Sequence, residues 1–562
     1  MKNVLEKWGL PLLTLFTFFF LLGSRSLNEP DEGRYSEIAR EMIETGNWLV
    51  PHLWYLPHLD KPPLTYWLVA ASMKFFGQNE WAVRLPLALA GISGVWAAYL
   101  LGNSLGGRRV GIWSGLILQS SLLYFVMSRM LTTDIFLTQF VAWAIYFFWR
   151  SWLCLKHSAA GSKSSPFLFW HVAGWVAIAL AFLAKGPIAL AIPLVAFAVH
   201  IIFHRKEIRS AKLLCSGLIC GFAVFFALAA PWFLMVFQRE PGSAHYMILG
   251  QAAGHLLGTT IKNRTGSPFY FFAILTVGLL PWTVLLGWLW RRPEITKDGR
   301  LMLSTWAIFT FALFSLSHSK LPAYILPIFP ALAVLIALKF FSDASANASA
   351  PRIAWQICLA CSLLLPAVFP PLLEIAFKDA LPEWLRWQTA VFAGGIILIS
   401  VLARKWTVQT MTGATIALSL AGFFIVIAEI APYQSTLKAN QSFKSLALEL
   451  ARDVQPADAV VCWGKFPEGL PFYSQGAISA THRPYLGDVN VTQVPFEYPG
   501  NRERLGDLLL PDDNALAQLL QGEKKVWVVG FGNTMEQFQQ AHPAIPLRLV
   551  SQAGQWELLV NR

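Results

Sequence analysis

Between Leu10 and about residue 430 the chain repeats one pattern, an apolar run long enough to cross about 30 Å of hydrocarbon as a helix, followed by a polar connection. The bilayer core has no water to satisfy backbone N–H and C=O groups, so each run must satisfy its own, which an α-helix does. One run ends near Gly23; others fall at 86–104, 110–127, 135–153, 168–184, 187–203, 213–237, 269–290, 301–317, 322–341, 353–375, 387–403 and 410–431. That predicts about thirteen transmembrane helices. Hydrophobic residues make up 55% of the 562 and charged residues 14%, with mean hydropathy +0.50, which excludes an ordinary soluble protein of this length. The expected fold class is mainly α: a polytopic body over 1–431, with a soluble α/β domain over 432–562.

The formal charge of +12 is spread between the spans and forms no basic stripe, which argues against nucleic acid as a partner. Lys2 and Lys7 precede the first span, and no small-x-small cleavage site follows it, so it reads as a retained helix with a cytoplasmic N-terminus. Alternate connections then carry the basic clusters: Arg108 and Arg109; Lys156 and Lys163; Arg205, Lys206, Arg209 and Lys212; Arg291, Arg292, Lys297 and Arg300; Arg352; Arg404 and Lys405. These are predicted cytoplasmic. The loop 24–85, the turns near Asp134, Lys185 and Tyr324, the stretch 238–268 and the C-terminal domain fall on the opposite side. The six cysteines form no pair of CxxC motifs and read as apolar packing residues. Ionisable groups inside the spans are few, and Lys185 and Glu429 sit near span ends, which argues against an ion-coupled transporter.

The loop 24–85 carries more than a connection needs. Tyr35, Ile38, Ala39, Met42 and Ile43 repeat at helical spacing opposite Arg34, Glu37, Arg40, Glu41 and Glu44, which predicts an amphipathic helix at the membrane interface. A second apolar piece, 64–76, follows Pro62 and Pro63 and is too short to span. Beyond Pro432 the composition turns polar. Segments 459–463, 525–529 and 547–560 read as strands, and 442–450 and 514–520 as helices.

The densest string of chemistry-bearing residues is Asn28-Glu29-Pro30-Asp31-Glu32-Gly33-Arg34-Tyr35, followed by Leu59-Asp60-Lys61-Pro62-Pro63. With Met130-Leu131-Thr132-Thr133-Asp134, Ala184-Lys185-Gly186-Pro187, Asn263-Arg264 and Lys320-Leu321-Pro322-Ala323-Tyr324, these strings resemble the bacterial lipid-linked glycosyltransferases. That family includes the aminoarabinose transferase of lipid A and, more distantly, the protein O-mannosyltransferases. The resemblance spans the membrane body. It implies a GT-C fold with juxtamembrane helices in the first extracytoplasmic loop, and inverting transfer of a sugar from an undecaprenyl-phosphate carrier to lipid A or another glycolipid, glycan or protein acceptor. It also implies the bacterial inner membrane, with the active face toward the periplasm.

Cleavage of such a donor leaves a phosphomonoester of higher charge, which needs cationic and hydroxyl donors in a site of reduced dielectric. The family pattern assigns the lipid phosphate to Lys61, Arg264 and Tyr324. Competing structural roles are snorkelling for Lys61, a span flank for Arg264 and an aromatic belt for Tyr324. Asp31 is the candidate carboxylate beside the reacting sugar, acting as general base toward a hydroxyl acceptor or positioning groups if the acceptor is a phosphate already ionised. It also reads as an N-cap. Glu32 is expected to orient the loop or pair with Arg34, and Asp134 and Lys185 either pair with one another or bind the sugar. Asp60 and His255 resemble a metal pair, for zinc or magnesium, although the sequence around His255 departs from the family's Glu-His and downstream Arg-Phe pattern. A lipid or sugar transporter, a protein O-mannosyltransferase-like enzyme and a non-catalytic scaffold are the competing readings.

Overall fold

The computed structural model describes residues 2–157, 166–208, 210–253, 266–289, 297–345, 352–377, 383–433, 442–487, 496 and 498–562. Contacts divide the chain into two units: Met1–Leu21, Pro86–Arg239 and Ile248–Val426 form one, and Leu22–Leu85, Glu240–Met247 and Ile427–Arg562 form the other.

The first unit is helical. Among the described residues, six helices are long and apolar enough to cross a membrane, within Glu80–Gly106, Phe167–Lys185, Ala211–Arg239, Gly299–Leu316, Pro322–Phe341 and Thr410–Ala428. Two predicted spans are broken. The run 110–127 divides into helices Arg108–Gln119 and Leu122–Met127, and 269–290 into Tyr270–Gly278 followed by short turns beyond Pro281. Ser120 and Ser121 turn their hydroxyls back onto the carbonyls of Leu116 (2.6 Å) and Ile117 (2.7 Å), which competes with continuation of the helix. The two breaks meet: the Leu122 N–H donates to the Leu280 carbonyl at 3.1 Å, and the Trp282 indole donates to the Ser120 hydroxyl at 3.1 Å. Each break thereby supplies partners for groups the other has freed, the condition under which broken helices survive in an apolar surround.

The second unit joins the first loop to the C-terminal region. Helix α1 (Asp31–Thr45) ends at Gly46, whose φ of 69° is the left-handed C-cap that glycine adopts without strain. Helix α2 (Leu64–Phe76) coincides with the short apolar piece read from sequence. The C-terminal sheet has the order β5-β4-β3-β6-β8-β7, where β3 is Ala459–Trp463, β4 Tyr485–Gly487, β5 Leu509–Leu510, β6 Val526–Phe531, β7 Arg548–Ala553 and β8 Trp556–Val560; β1 (His52–Leu53) and β2 (Leu56–Pro57) pair in the first loop. Strands β3 to β6 run parallel, and β8 and β7 close the edge antiparallel. Central β3 is buried at every position, as its unbroken apolar sequence demands. Val461, Trp463, Val528, Leu516 and Phe538 share its core. The segment 547–560 is a hairpin and not one strand, because Gly554 at φ 62° reverses the chain.

One expectation about the first loop is corrected. The charged face of α1 is not solvated: Glu32, Arg34, Glu37, Arg40 and Glu41 are buried along with Ile38 and Met42. Internal partners replace water. Arg40 donates to Glu37 (2.6 and 2.8 Å) and Glu44 (2.7 Å), and Glu41 accepts the Tyr55 N–H at 2.8 Å.

Candidate active site

Asp31 is the first residue of α1, with a side chain 37% exposed and 3.6 Å from the Arg34 guanidinium. Pro30 occupies the cap position and no side chain caps the helix, so the N-cap reading of Asp31 is replaced by a first-turn carboxylate, favoured by the positive end of the helix dipole. Glu32 does not pair with Arg34. Its two oxygens accept from Arg25 (2.7 and 3.2 Å) and Arg84 (both 2.9 Å), and from the Asn28 N–H at 3.0 Å. Burial alone would push its carboxyl up, but Arg25 and Arg84 outweigh that and hold it at about 2. Arg34 instead grips Glu468 through two bonds of 2.5 and 3.0 Å. Beside it the Glu29 carboxylate accepts the Gly469 N–H at 3.1 Å. Gly33 and Gly469 let the backbones approach: a Cβ on Gly469 would lie 2.7 Å from the Gly33 Cα. Gly469 is therefore a packing requirement, and a Cβ on the motif glycine, Gly33, would collide with the Glu29 carboxyl group. Desolvation and then the Glu468 charge raise Glu29 well above the usual carboxylate range.

Asp60 and Lys61 are half-buried in the same unit. The Lys61 ammonium donates to the Asp60 backbone carbonyl at 3.2 Å, and the Tyr246 hydroxyl donates to the Asp60 carboxylate at 2.5 Å. The Tyr246 ring meets Tyr498 edge-on at 5.2 Å. His255 and Arg264 lie outside the described residues. Among the described residues no group of three or more His, Cys, Asp or Glu is arranged to hold a metal, and Asp60 serves as a hydrogen-bond acceptor for Tyr246.

In the first unit Asp134, Lys185 and Tyr324 converge. Asp134 opens the helix Asp134–His157 and Lys185 closes Phe167–Lys185, so each charge sits where its helix dipole favours it. Antiparallel packing brings those ends together. Lys185 and Asp134 form an ion pair, and the Lys185 nitrogen lies 4.5 Å from the centroid of the Tyr324 ring. Of the two sequence readings for this pair, the structure displays mutual pairing. Sequence reasoning gave no role to two buried cations beside the same motifs. Lys320 donates to the carbonyls of Phe314 (3.2 Å), Ser315 (2.6 Å) and Ser317 (2.7 Å) where the helix Lys297–Leu316 ends, and Arg129 donates to Thr17 at 2.8 Å and also to Phe20. Both close a helix C-terminus with a cation. Arg129 stands directly ahead of the Met130 string and Lys320 opens its own string, which was the available signal.

Comparison with known proteins places the chain in a family. The family described as "Dolichyl-phosphate-mannose-protein mannosyltransferase" matches residues 60–234. An undecaprenyl phosphate-alpha-4-amino-4-deoxy-L-arabinose arabinosyl transferase of Aeromonas hydrophila is 31% identical over 437 residues, covering 74% of this chain and 76% of the relative. The chain belongs to this arabinosyl transferase family. A second member, from Proteus mirabilis, is 31% identical over 450 residues, with 75% and 77% coverage. Among solved structures, ArnT from Cupriavidus metallidurans bound to undecaprenyl phosphate superposes with a TM-score of 0.78 at 23% identity, covering 98% of this chain and 97% of that one. This likeness is one of fold, and it extends to an archaeal oligosaccharyltransferase, AglB from Archaeoglobus fulgidus, at a TM-score of 0.50 and 12% identity. With six helices long and apolar enough to cross a membrane among its described residues, this chain is a multi-pass membrane protein.

Proposed function

We propose that the protein is an inverting glycosyltransferase that moves 4-amino-4-deoxy-L-arabinose from undecaprenyl phosphate to lipid A or another extracytoplasmic acceptor. Family membership supports the reaction class, and the convergence of Asp134, Lys185 and Tyr324 from three distant motifs carries the assignment. An ion pair against an aromatic face is a preorganised polar site, suited to holding sugar hydroxyls or the donor's phosphate as charge develops on it. In the loop unit Asp31 is the carboxylate open to a reacting group, since Glu32 is fully engaged by arginines and positions the loop. Lys61, with Arg264 and Tyr324, takes the lipid phosphate by the family pattern. Asp31 serves as base for a hydroxyl acceptor, and with an ionised phosphate acceptor it positions groups.

The same reading makes the protein an inner-membrane enzyme with about thirteen spans, an active face toward the periplasm, and a soluble domain over 432–562. Asp31→Ala, Lys61→Ala and Lys185→Met are each expected to lower transfer from the purified carrier-linked sugar by about a hundredfold or more, with unchanged membrane insertion. Full activity in all three would sink the assignment. Because the mannosyltransferase family matches residues 60–234, a mannose-carrying lipid and a peptide acceptor belong in the same assay; transfer to peptide alone would favour the O-mannosyltransferase reading.

A further inference from the structure

The second unit contains a cavity of about 730 Å³ to which the reaction described above assigns nothing. It lies at the C-terminal end of α1 beside Glu44, roughly 20 Å along the helix from Asp31 at 1.5 Å per residue. Its volume falls in the range of small-ligand sites.

The walls alternate charge with neutral hydrogen-bonding groups. Arg40 and Glu44 hold one another at 2.7 Å. Lys444 pairs with Glu80 at 2.5 Å, and the Tyr473 hydroxyl donates to the same Glu80 oxygen at 3.2 Å. Lys74 also lines the cavity, exposed and with no ion-pair or hydrogen-bond partner among the described residues, so the wall carries one cation beyond its paired charges. Gln475, an exposed lining residue, has a φ of 49°, a conformation costly for a non-glycine side chain and followed by Gly476 at φ 92°. Strain of this kind concentrates at ligand-binding segments. Immediately after Lys74, Phe75 and Phe76 are 82% and 55% exposed, an apolar pair at the end of a helix too short to span.

We propose that this cavity binds the headgroup of a glycolipid, a saccharide carrying a phosphate or other acidic group. The paired carboxylates and cations, together with the Gln475 amide, give sugar hydroxyls both acceptors and donors. Lys74 meets the anionic substituent, and Phe75 and Phe76 face the lipid chains. Resting on the proposed transfer reaction, the site holds part of the acceptor away from the reacting end.

The test is binding, measured without donor. Full-length protein in phosphatidylethanolamine nanodiscs is titrated with lipid A, with dephosphorylated lipid A, and with a soluble phosphorylated glucosamine disaccharide. Wild type should bind lipid A; Lys74→Glu should weaken it about tenfold or more, the scale of one lost charge-assisted contact, and Ser479→Trp should fill the cavity and do the same. Lys524→Glu, the same charge reversal at an exposed residue that does not line the cavity, should bind as wild type does. Weaker binding of dephosphorylated lipid A supports the role of Lys74, and equal binding of the disaccharide would remove the lipid chains from the proposal. Unchanged lipid A affinity in both cavity variants overturns the site whether or not transfer occurs. Absence of transfer by wild type with intact, Lys74-dependent binding would instead overturn the reaction and leave the site standing.

Discussion

Lys61 owes its place to its neighbour. The Asp60 carboxylate is held by the Tyr246 hydroxyl at 2.5 Å, while the Asp60 carbonyl receives the Lys61 ammonium at 3.2 Å. Tyr246 is in turn packed by Tyr498, whose hydroxyl donates to the Pro241 carbonyl at 3.4 Å, so residues from the C-terminal region set the geometry of the first loop. Tyr246 is a positioning residue. Tyr246→Phe removes one hydrogen bond to a carboxylate, worth roughly 1.5–3 kcal/mol. It is expected to raise KM for the donor about tenfold, with kcat far less affected. A fall in kcat at unchanged KM would show that Tyr246 acts elsewhere. None of this was legible in the sequence, because Asp60 and Tyr246 are separated by 186 positions and neither string marks the other.

At the scale of the element, α1 displays how a helix with an amphipathic sequence becomes a buried one. Its spacing correctly predicts the helix and its apolar stripe. The opposite face is buried as well, because Arg84 reaches Glu32 and Glu468 reaches Arg34 from distant parts of the chain. A buried ion pair costs little while intact and much when one partner is removed. Arg84→Ala is therefore expected to destabilise the protein by about 3–5 kcal/mol, read as a loss in thermal or denaturant stability, whereas Arg84→Ala with Glu32→Leu and Arg25→Leu, which removes every charge of the triad, should recover most of it. No recovery in the triple variant would mean that the Arg84 bonds to the carbonyls of Leu22, Arg25 and Ser26 dominate. The broken helices teach the same lesson. A hydropathy window reads 110–127 as one span, since only the meeting of Leu122 with Leu280 makes the break at Ser120 and Ser121 affordable.

For the whole molecule, two glutamates of one motif respond to pH in opposite senses. Glu32, depressed to about 2 by its arginines despite its burial, stabilises the folded chain above the ordinary carboxylate range, and that stability is lost as pH falls toward 2. Glu29, raised by desolvation and by Glu468, favours the folded chain while protonated, and its contribution is lost as pH rises through its elevated folded value. Glu29→Gln is expected to flatten the loss of thermal stability on the rising side and leave the acid limb unchanged. Superimposable wild-type and variant profiles of melting temperature against pH would remove Glu29 as the source.

Membrane class, the position of most helices, the short helix 64–76 and the strings that carry the family likeness were set by the sequence alone. Each depends on local composition and spacing: an apolar run of sufficient length must become a helix in hydrocarbon, whatever surrounds it. Tertiary structure decided the partners. It joined Lys185 to Asp134 against Tyr324, gave Glu32 to Arg25 and Arg84 and Arg34 to Glu468, and brought the C-terminal region onto the loop 24–85. Such pairings rest on charge, distance and burial between segments up to several hundred residues apart, and those quantities exist only once the chain has folded.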